Sequence, residues 1–261
     1  MKKIKISAAD RALDILFPPV CPVCGKPLPA GMTNVPSFQD SEPGEIPSRP
    51  QRLPVHPACE KKLIPVTGAR CAVCGKQLTD ERESLCLDCQ KRHHEFEQTI
   101  SVFQYTEAAR QSIYCLKYKN KREYADALGF LMWKYAGRRI RFYAPEVIIP
   151  VPMFAAKQRR RGYNQAQLLA KALSKYSGIP AVSDALIRTR ATKPMKELTA
   201  GERLSNLSGA FETAGRLPWE RVLLLDDIYT SGSTLDECSA ALKQGGVRKV
   251  YGICLCSGEG F

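Results

Sequence analysis

The chain has 261 residues, 44% of them hydrophobic, which accommodates one α/β domain of ordinary size and a smaller module. It has no apolar run of the roughly 18 residues needed to cross a membrane. Asp10, Arg11 and Asp14 interrupt the basic start, so it does not match a secretion signal, and we expect a cytoplasmic protein. A formal charge of +13 suits phosphate-rich ligands and nucleic acid alike and does not choose between them.

Eleven cysteines without a secretion signal favour metal ligation over disulfides, because the cytoplasm keeps thiols reduced. Two near-copies of a Cys-x2-Cys-Gly knuckle occur, and each is followed by a second pair of ligand residues with the same spacing. Each set can fill all four positions of Zn²⁺, which favours structural over catalytic zinc. An interleaved pairing, with the knuckles exchanged between ions, is the alternative. The predicted ligands are Cys21, Cys24, His56 and Cys59 for one ion and Cys71, Cys74, Cys86 and Cys89 for the other.

The amino-terminal third is predicted to be a zinc module of residues 1–95, followed by a second domain of residues 96–261. A short helix over 7–17 and a proline-rich insertion over 27–54 belong to the module. The second domain begins with a half-exposed strand over 99–105 and helices over 107–118 and 122–137. We interpret the basic run from Lys117 to Arg122 as a solvated helix end rather than a dedicated site.

The middle of the second domain continues with a strand over 146–152, a basic loop and an amphipathic helix that follows Gly162. Arginine matches phosphate oxygens well, so the run Arg159 to Arg161 could hold a pyrophosphate. A further strand is predicted over 181–190, and the polar segment over 188–206 could close as a lid. The last strand is predicted over 249–256.

The segment over 222–234 carries the most specific signal. An apolar run typical of a buried parallel strand leads into Asp226 and Asp227, at the end of the strand where α/β sheets bind ligands. Gly232 permits a positive φ, and the surrounding hydroxyls and the amides of the next helix could wrap a phosphate. Thr234 and Glu237 have capping-box spacing for that helix. The strings Gly-x4-Gly-Lys-Ser/Thr and Gly-x-Gly-x-x-Gly are absent from the sequence, which argues against a nucleoside triphosphatase or dinucleotide fold.

This segment resembles the phosphoribosyl-pyrophosphate (PRPP) motif of type I phosphoribosyltransferases. The order along nearly the whole chain resembles the ComF family, in which zinc ribbons precede a phosphoribosyltransferase domain. The resemblance also rests on Pro150-Val-Pro, on Arg161-Gly-Tyr-Asn-Gln-Ala, and on Glu202-Arg-x2-Asn206 before Ala210-Phe211. It implies a mainly parallel twisted sheet with helices on both faces. Two departures are His56, where a cysteine is usual, and Met195, where a glutamine is expected.

The resemblance also implies an activity, namely the transfer or release of a phosphoribosyl group with pyrophosphate leaving. Asp226 and Asp227 would act as the catalytic carboxylates, holding the ribose hydroxyls and helping to place Mg²⁺. The loop after Val151 would hold pyrophosphate. The residues expected to bind PRPP are Ile228, Tyr229, Thr230, Ser231, Gly232, Ser233, Thr234, Val151, Pro152, Arg159 and Arg161.

A second interpretation comes from a different class of protein. The zinc ribbons, the basic charge and the family's link to competence also fit a nucleic-acid-binding factor for DNA uptake, in which the PRPP fold serves as a nucleotide sensor or scaffold. Its expected partners are single-stranded DNA and a helicase-like competence ATPase. The acceptor base or amine of a transferase is not identified by any pattern in the sequence.

Overall fold

The computed structural model describes residues 18–29, 54–191 and 209–258. The predicted helix over 7–17, most of the insertion over 27–54, most of the lid segment and Met195 lie outside the described residues. The elements, in chain order, are α1 (Pro57–Glu60), α2 (Leu87–Lys91), β1 (Gln98–Gln104), α3 (Glu107–Tyr118), α4 (Tyr124–Tyr143), β2 (Val147–Pro150), α5 (Ala155–Arg161), α6 (Gln165–Ser177), β3 (Leu186–Arg188), β4 (Phe211–Thr213), β5 (Arg221–Tyr229), α7 (Ser233–Gln244) and β6 (Lys249–Ser257).

Within the described residues, the main sheet has four parallel strands in the order β1-β6-β5-β2. The strand that carries Asp226 and Asp227 is therefore central, and β2 is its neighbour, with Pro150 opposite Leu225. Because the strands are parallel, all their carboxyl ends meet at one edge of the sheet.

Side chains of β5 alternate between two cores, as the pleat of a strand requires. Leu223 and Leu225 pack on one face with α4 and α6, whereas Val222 and Leu224 pack on the other with α7. The continuous apolar run is thus explained by burial on both faces. The predicted fold class, a mainly parallel sheet with helices on both faces and a cysteine-rich module before it, is confirmed. Among the described residues, no helix is both long and apolar enough to span a bilayer.

The cysteine-rich module covers the outer edge of β1. Backbone amides of Val66 and Gln104 donate to Val102 and Ile64, at 3.0 and 2.9 Å, and the amide of Thr99 donates to Val73 at 2.7 Å. The prediction of a half-exposed strand here is wrong, because β1 is buried along almost its whole length. An edge strand that would otherwise expose unpaired amides is capped by the module.

Two other local predictions need correction. Strand β3 spans only Leu186–Arg188 and pairs antiparallel with β4 in a separate two-stranded sheet, whereas Ala181 makes an isolated bridge to Ile148. Helix α7 has Gly232 as its N-cap, without a side-chain cap bond. The capping box predicted from Thr234 and Glu237 is therefore not formed, because the N-cap lies two residues before Thr234.

Candidate functional site

The two knuckles fold alike. In each, the glycine after the second cysteine has a φ near +70° and its amide donates to the first cysteine carbonyl, with Gly25 to Cys21 at 2.8 Å and Gly75 to Cys71 at 3.0 Å. Only glycine adopts this backbone conformation without strain. The turn aims both sulfurs of a knuckle at the same point.

The structure brings together the ligand sets that follow the sequence order, not the interleaved ones. The ligand atoms of each set lie within 4.8 Å of one another, in the sets Cys21, Cys24, His56 and Cys59, and Cys71, Cys74, Cys86 and Cys89. Four sulfurs around a tetrahedral Zn²⁺ would lie about 3.8 Å apart, and the Cys74 and Cys86 sulfurs are 3.6 Å apart. Hydrogen bonds from Cys74 and Cys89 lower the pKa of Cys71. Both sets fit zinc.

The paired carboxylates lie near the carboxyl end of β5. Asp227 is buried, and its carboxylate lies 2.8 Å from the amine of Lys117 on α3. The amide of Asp227 donates to the carboxylate of Asp226 at 2.8 Å. Burial and the neighbouring charge of Asp227 raise the pKa of Asp226 to about 7. Such a pair suits a cation or a sugar diol, both of which seek acceptor oxygens.

Cations surround the two acids. Burial lowers the pKa of Lys117, but its attraction to Asp227 outweighs this, so the pKa is raised. Burial lowers the pKa of Lys157, and the nearby charges of Arg161 and Lys117 lower it further. Burial also lowers the pKa of Arg188, against the attraction of the Asp226 carboxylate. The contact between Lys117 and Asp227 places one amine at the acids, and the charges of Lys157 and Arg188 also act on this region, which can therefore neutralise a polyanion.

The loop after β5 has the shape expected of an anion-binding turn. Gly232 has φ +78°, Ser233 is only 1% exposed, and the hydroxyls of Ser231 and Ser233 lie 3.0 Å apart. Helix α7 begins at Ser233, and the first amides of a helix lack intrahelical acceptors. Thr230 is exposed and Thr234 half-buried.

Other predicted site residues have structural partners. Tyr229 is buried, with its ring edge-on to Phe96, and Ile228 packs on the core, so for these two only the backbone is left to meet a ligand. Arg159 is exposed on α5. The guanidinium of Arg161 lies 5.2 Å from the ring centre of Tyr118.

The strand end before α5 is tied to the Arg-Gly-Tyr-Asn segment. Asn164 caps α6 and donates to the carbonyl of Val151 at 2.9 Å, and half-buried Pro152 follows. The hydroxyl of Tyr163 donates to the Leu116 carbonyl, which joins this segment to α3. The segment therefore fixes the loop after β2 relative to the helix that carries Lys117.

Sequence reasoning missed three basic residues of this region. Lys117 was interpreted as part of a solvated helix end, and that interpretation is wrong for it, because its amine reaches Asp227. The sequence did contain one indication of this position. Lys117 lies four residues after Ile113, a buried residue of α3, and therefore on the same face of the helix. Lys157 and Arg188 carry no local signal, since only the tertiary fold brings α5 and β3 to the end of β5.

Comparison with known proteins finds relatives whose names refer to competence or to DNA utilization. The chain is 34% identical over 186 residues to competence protein F of Haemophilus influenzae, covering 69% of this chain and 81% of that protein. It is 31% identical over 189 residues to the DNA utilization protein YhgH of Escherichia coli K12, covering 71% and 83%. Competence protein ComFC of Bacillus subtilis is 26% identical over 198 residues, covering 72% and 78%.

No protein-family model matches the chain. Among solved structures, a purine phosphoribosyltransferase from Pyrococcus horikoshii aligns with a TM-score of 0.32 and 22% identity, covering 51% of this chain and 73% of that chain. The sequence relatives are decisive for the family: with one third identity over four fifths of a curated relative, the chain belongs to the family of competence protein F and ComFC.

Proposed function

We propose that this protein binds PRPP with Mg²⁺ and transfers its phosphoribosyl group, with pyrophosphate leaving. The observation that carries the proposal is the carboxylate pair Asp226 and Asp227, with the Lys117 amine 2.8 Å from Asp227 and a glycine-containing helix start directly after the strand. A ligand with adjacent hydroxyls and several phosphates matches this combination of acceptors and cations. Structural zinc in the two cysteine sets completes the proposed cofactors.

Different residues bind different parts of the PRPP molecule. Asp226 and Asp227 accept hydrogen bonds from the ribose hydroxyls, and the amides and hydroxyls over 230–234 bind the 5′-phosphate. The loop after Val151, with Arg159 and Arg161, takes the pyrophosphate. Asp226 and Asp227 would help to hold Mg²⁺, which would supply positive charge to offset that of the phosphates.

The chain's own contribution to the reaction is positioning and electrostatics. As the bond from the anomeric carbon to pyrophosphate breaks, negative charge grows on the leaving group, where Lys157 and Arg161 stabilise it. The carboxylates face the sugar, on which positive charge develops. No general base is required for this part of the reaction, and the acceptor stays undefined.

The test is calorimetric titration of the zinc-loaded protein with PRPP in the presence of Mg²⁺. The double variant Asp226→Asn, Asp227→Asn should weaken binding by roughly tenfold or more, because hydrogen bonds to charged groups contribute about 1.5–3 kcal/mol each. Asp126→Asn is the matched control. Asp126 pairs with Lys175 and Tyr176 at the far end of α6, so the same chemical change there should leave binding unaltered.

Two outcomes would overturn the assignment: unchanged PRPP binding in the double variant, or equal losses in the double variant and in Asp126→Asn. If binding is established, a screen of nucleobases and amines for pyrophosphate release then tests catalysis. Release with at least one acceptor supports a transferase. Tight binding without release supports the sensor or scaffold interpretation.

A second candidate function is favoured by a patch of aromatic and basic residues on α3. Tyr118 is 63% exposed and Tyr114 is 42% exposed, and their ring centres lie 5.2 Å apart. Lys119 approaches the Tyr114 ring at 6.0 Å, and Arg161 approaches that of Tyr118. Exposed rings alternating with cations are what single-stranded nucleic acid binding requires, since bases stack and phosphates pair.

This candidate gives the protein a competence role in the cytoplasm, with single-stranded DNA and a helicase-like ATPase as partners. Affinity for single-stranded DNA should fall with salt, with a logarithmic slope of about 0.7 per phosphate contact. Tyr118→Ala should weaken binding by about 1–3 kcal/mol if a base stacks there. Phe142→Ala, which removes an 85% exposed ring at the end of α4, is the control. Salt-independent binding, or equal effects of the two variants, would contradict this role.

A further inference from the structure

A buried polar network joins the second cysteine cluster to the loop after β5. The Nε2 atom of His94 lies 3.5 Å from the Cys89 sulfur, and its Nδ1 atom lies 3.0 Å from the Asp236 carboxylate. The His94 side chain is only 1% exposed. One imidazole therefore contacts a predicted zinc ligand on one side and the first turn of α7 on the other.

Asp236 is the hub of this network. Arg92 donates to its carboxylate at 2.6 Å and the backbone amide of Glu95 donates at 2.9 Å, in addition to the contact with His94. The carboxylate is almost wholly buried, and it lies near the amino-terminal end of a helix, where negative charge is favoured. The carboxylate offers two acceptor oxygens to the three surrounding groups. Asparagine at this position would offer them only one.

The network also reaches the loop directly. The other terminal nitrogen of the Arg92 guanidinium donates to the hydroxyl of Ser233 at 3.2 Å. The Ser233 hydroxyl in turn lies 3.0 Å from that of Ser231. A Cβ atom added to Gly232 would lie 3.1 Å from the His94 ring and 2.5 Å from the Tyr229 hydroxyl. The module thus contacts the loop at its backbone turn and at a hydroxyl.

We infer that His94, Asp236 and Arg92 are positioning residues that couple metal occupancy of the second cysteine cluster to the conformation of the loop over 230–234. The inference deepens the proposed function, on which its consequence for ligand binding rests. The ordering itself does not require PRPP. Metal at the second cluster fixes Cys89, Cys89 fixes the imidazole, and the imidazole with Arg92 fixes Asp236 and Ser233. Groups that hydrogen-bond to metal ligands and the ligands themselves hold one another in a fixed orientation.

The first cluster provides the contrast. The imidazole of His56 lies 3.4 Å from the Cys24 sulfur and 3.1 Å from the carbonyl of Pro27, within the module. Glu60, next to Cys59, bonds to Lys134 and Tyr135 on α4 at 2.6 Å each. These contacts lead to a helix of the scaffold and not to the loop.

The test is hydrogen exchange of the backbone amides over 230–236 without ligand. Cys86→Ser, which removes a ligand of the second cluster, should speed exchange there by roughly fivefold or more, the lower range of measured couplings between sites. Cys24→Ser should leave it unchanged. Asp236→Asn should speed exchange by itself, and adding Cys86→Ser to it should produce little further change. Glu60→Gln is the control for loss of a buried carboxylate.

The coupling is overturned if Cys86→Ser and Asp236→Asn multiply their effects, or if Cys24→Ser acts as strongly as Cys86→Ser. Amides of β5 over 223–225 report whether each variant is folded. If Cys86→Ser unfolds, zinc release to a chromophoric chelator replaces it: release of one of two ions should be roughly fivefold faster in Asp236→Asn and unchanged in Glu60→Gln. Equal release rates in all proteins would contradict the inference. Failure of PRPP binding with this coupling intact would overturn the proposed function alone.

Discussion

The two cysteine clusters begin from almost the same six residues and fold into the same turn, yet they serve different parts of the molecule. The first has an exposed cysteine, Cys24, and its second ligand pair leads through Glu60 to α4. The second has a wholly buried Cys74 and leads through His94 to the loop after β5. Local sequence therefore determines the turn. The residues that follow the turn determine which part of the molecule each cluster contacts.

The largest expected difference comes from the cysteines themselves. Cys74→Ser should lower the free energy of unfolding by about 3 kcal/mol or more, because binding energy at a structural zinc site is folding energy and this site also covers β1. Cys24→Ser should cost clearly less, because its side chain is exposed. Denaturant unfolding with metal analysis by mass spectrometry measures both. Equal losses would mean that the two clusters contribute equally to the free energy of unfolding.

The glycines of the two knuckles offer a matched pair of substitutions, whose expected effect on stability is smaller than that of the cysteines. A Cβ on Gly75 would lie 2.3 Å from the backbone oxygen of Thr99, whereas the nearest atom to a Cβ on Gly25 is the Tyr124 hydroxyl at 3.5 Å. Both positions have a positive φ, so Gly25→Ala should cost about 1 kcal/mol from backbone strain alone. Gly75→Ala should cost about 2 kcal/mol more because the knuckle must move away from β1. Thermal unfolding of both variants checks this order.

Two carboxylates, Glu60 beside the first cluster and Asp226 in the candidate site, should respond to substitution with opposite signs. Glu60→Gln should destabilise by about 1–3 kcal/mol, since Lys134 and Tyr135 lose a charged acceptor. Asp226 has a pKa raised from 3.8 to about 7, so its ionisation costs stability as the pH rises between those values. Asp226→Asn should therefore stabilise the protein at pH 8, on the order of 1 kcal/mol, and have little effect at pH 4. Melting temperatures that fall at pH 8 would contradict this.

The smallest expected effect is that of restoring a fourth thiolate to the first cluster. His56→Cys should strengthen zinc binding there, because thiolates hold zinc more tightly than imidazole does, while the free energy of unfolding of the metal-free protein changes by less than about 0.5 kcal/mol. Competition with a zinc chelator measures the affinity. Loss of zinc from the variant would show that the contact between His56 and the Pro27 carbonyl is needed to shape the site.

Much of this arrangement could be predicted from the sequence. The apolar run before Asp226, the glycines of the knuckles and the loop, and the residues of the two cysteine sets follow from short-range patterns, whereas the choice against interleaved pairing came from the structure. The burial of β1 could not be predicted, because the residues that cover it, from Ile64 to Val73, belong to another module. The short strand β3 and the start of α7 depend on tertiary pairing that local propensity does not contain.

The sequence suggested the acidic residues, the loop and the arginines of α5 for the candidate site, but not three of its other basic residues. Asp226, Asp227 and the loop are contiguous in sequence, whereas Lys117, Lys157 and Arg188 come from three separate elements. Lys117 illustrates the limit. Its neighbours in sequence suggest a solvated basic face, and only its position four residues after buried Ile113 directs it inward.

The most direct test of the central claim is a crystal structure of the zinc-loaded protein with PRPP and Mg²⁺ bound. We predict the ribose hydroxyls at Asp226 and Asp227, the 5′-phosphate on the amides over 230–234, and the pyrophosphate beside the loop after Val151 within reach of Arg161. Ligand density at any other place, with Lys117 still paired to Asp227 and the loop over 230–234 empty, would contradict the account.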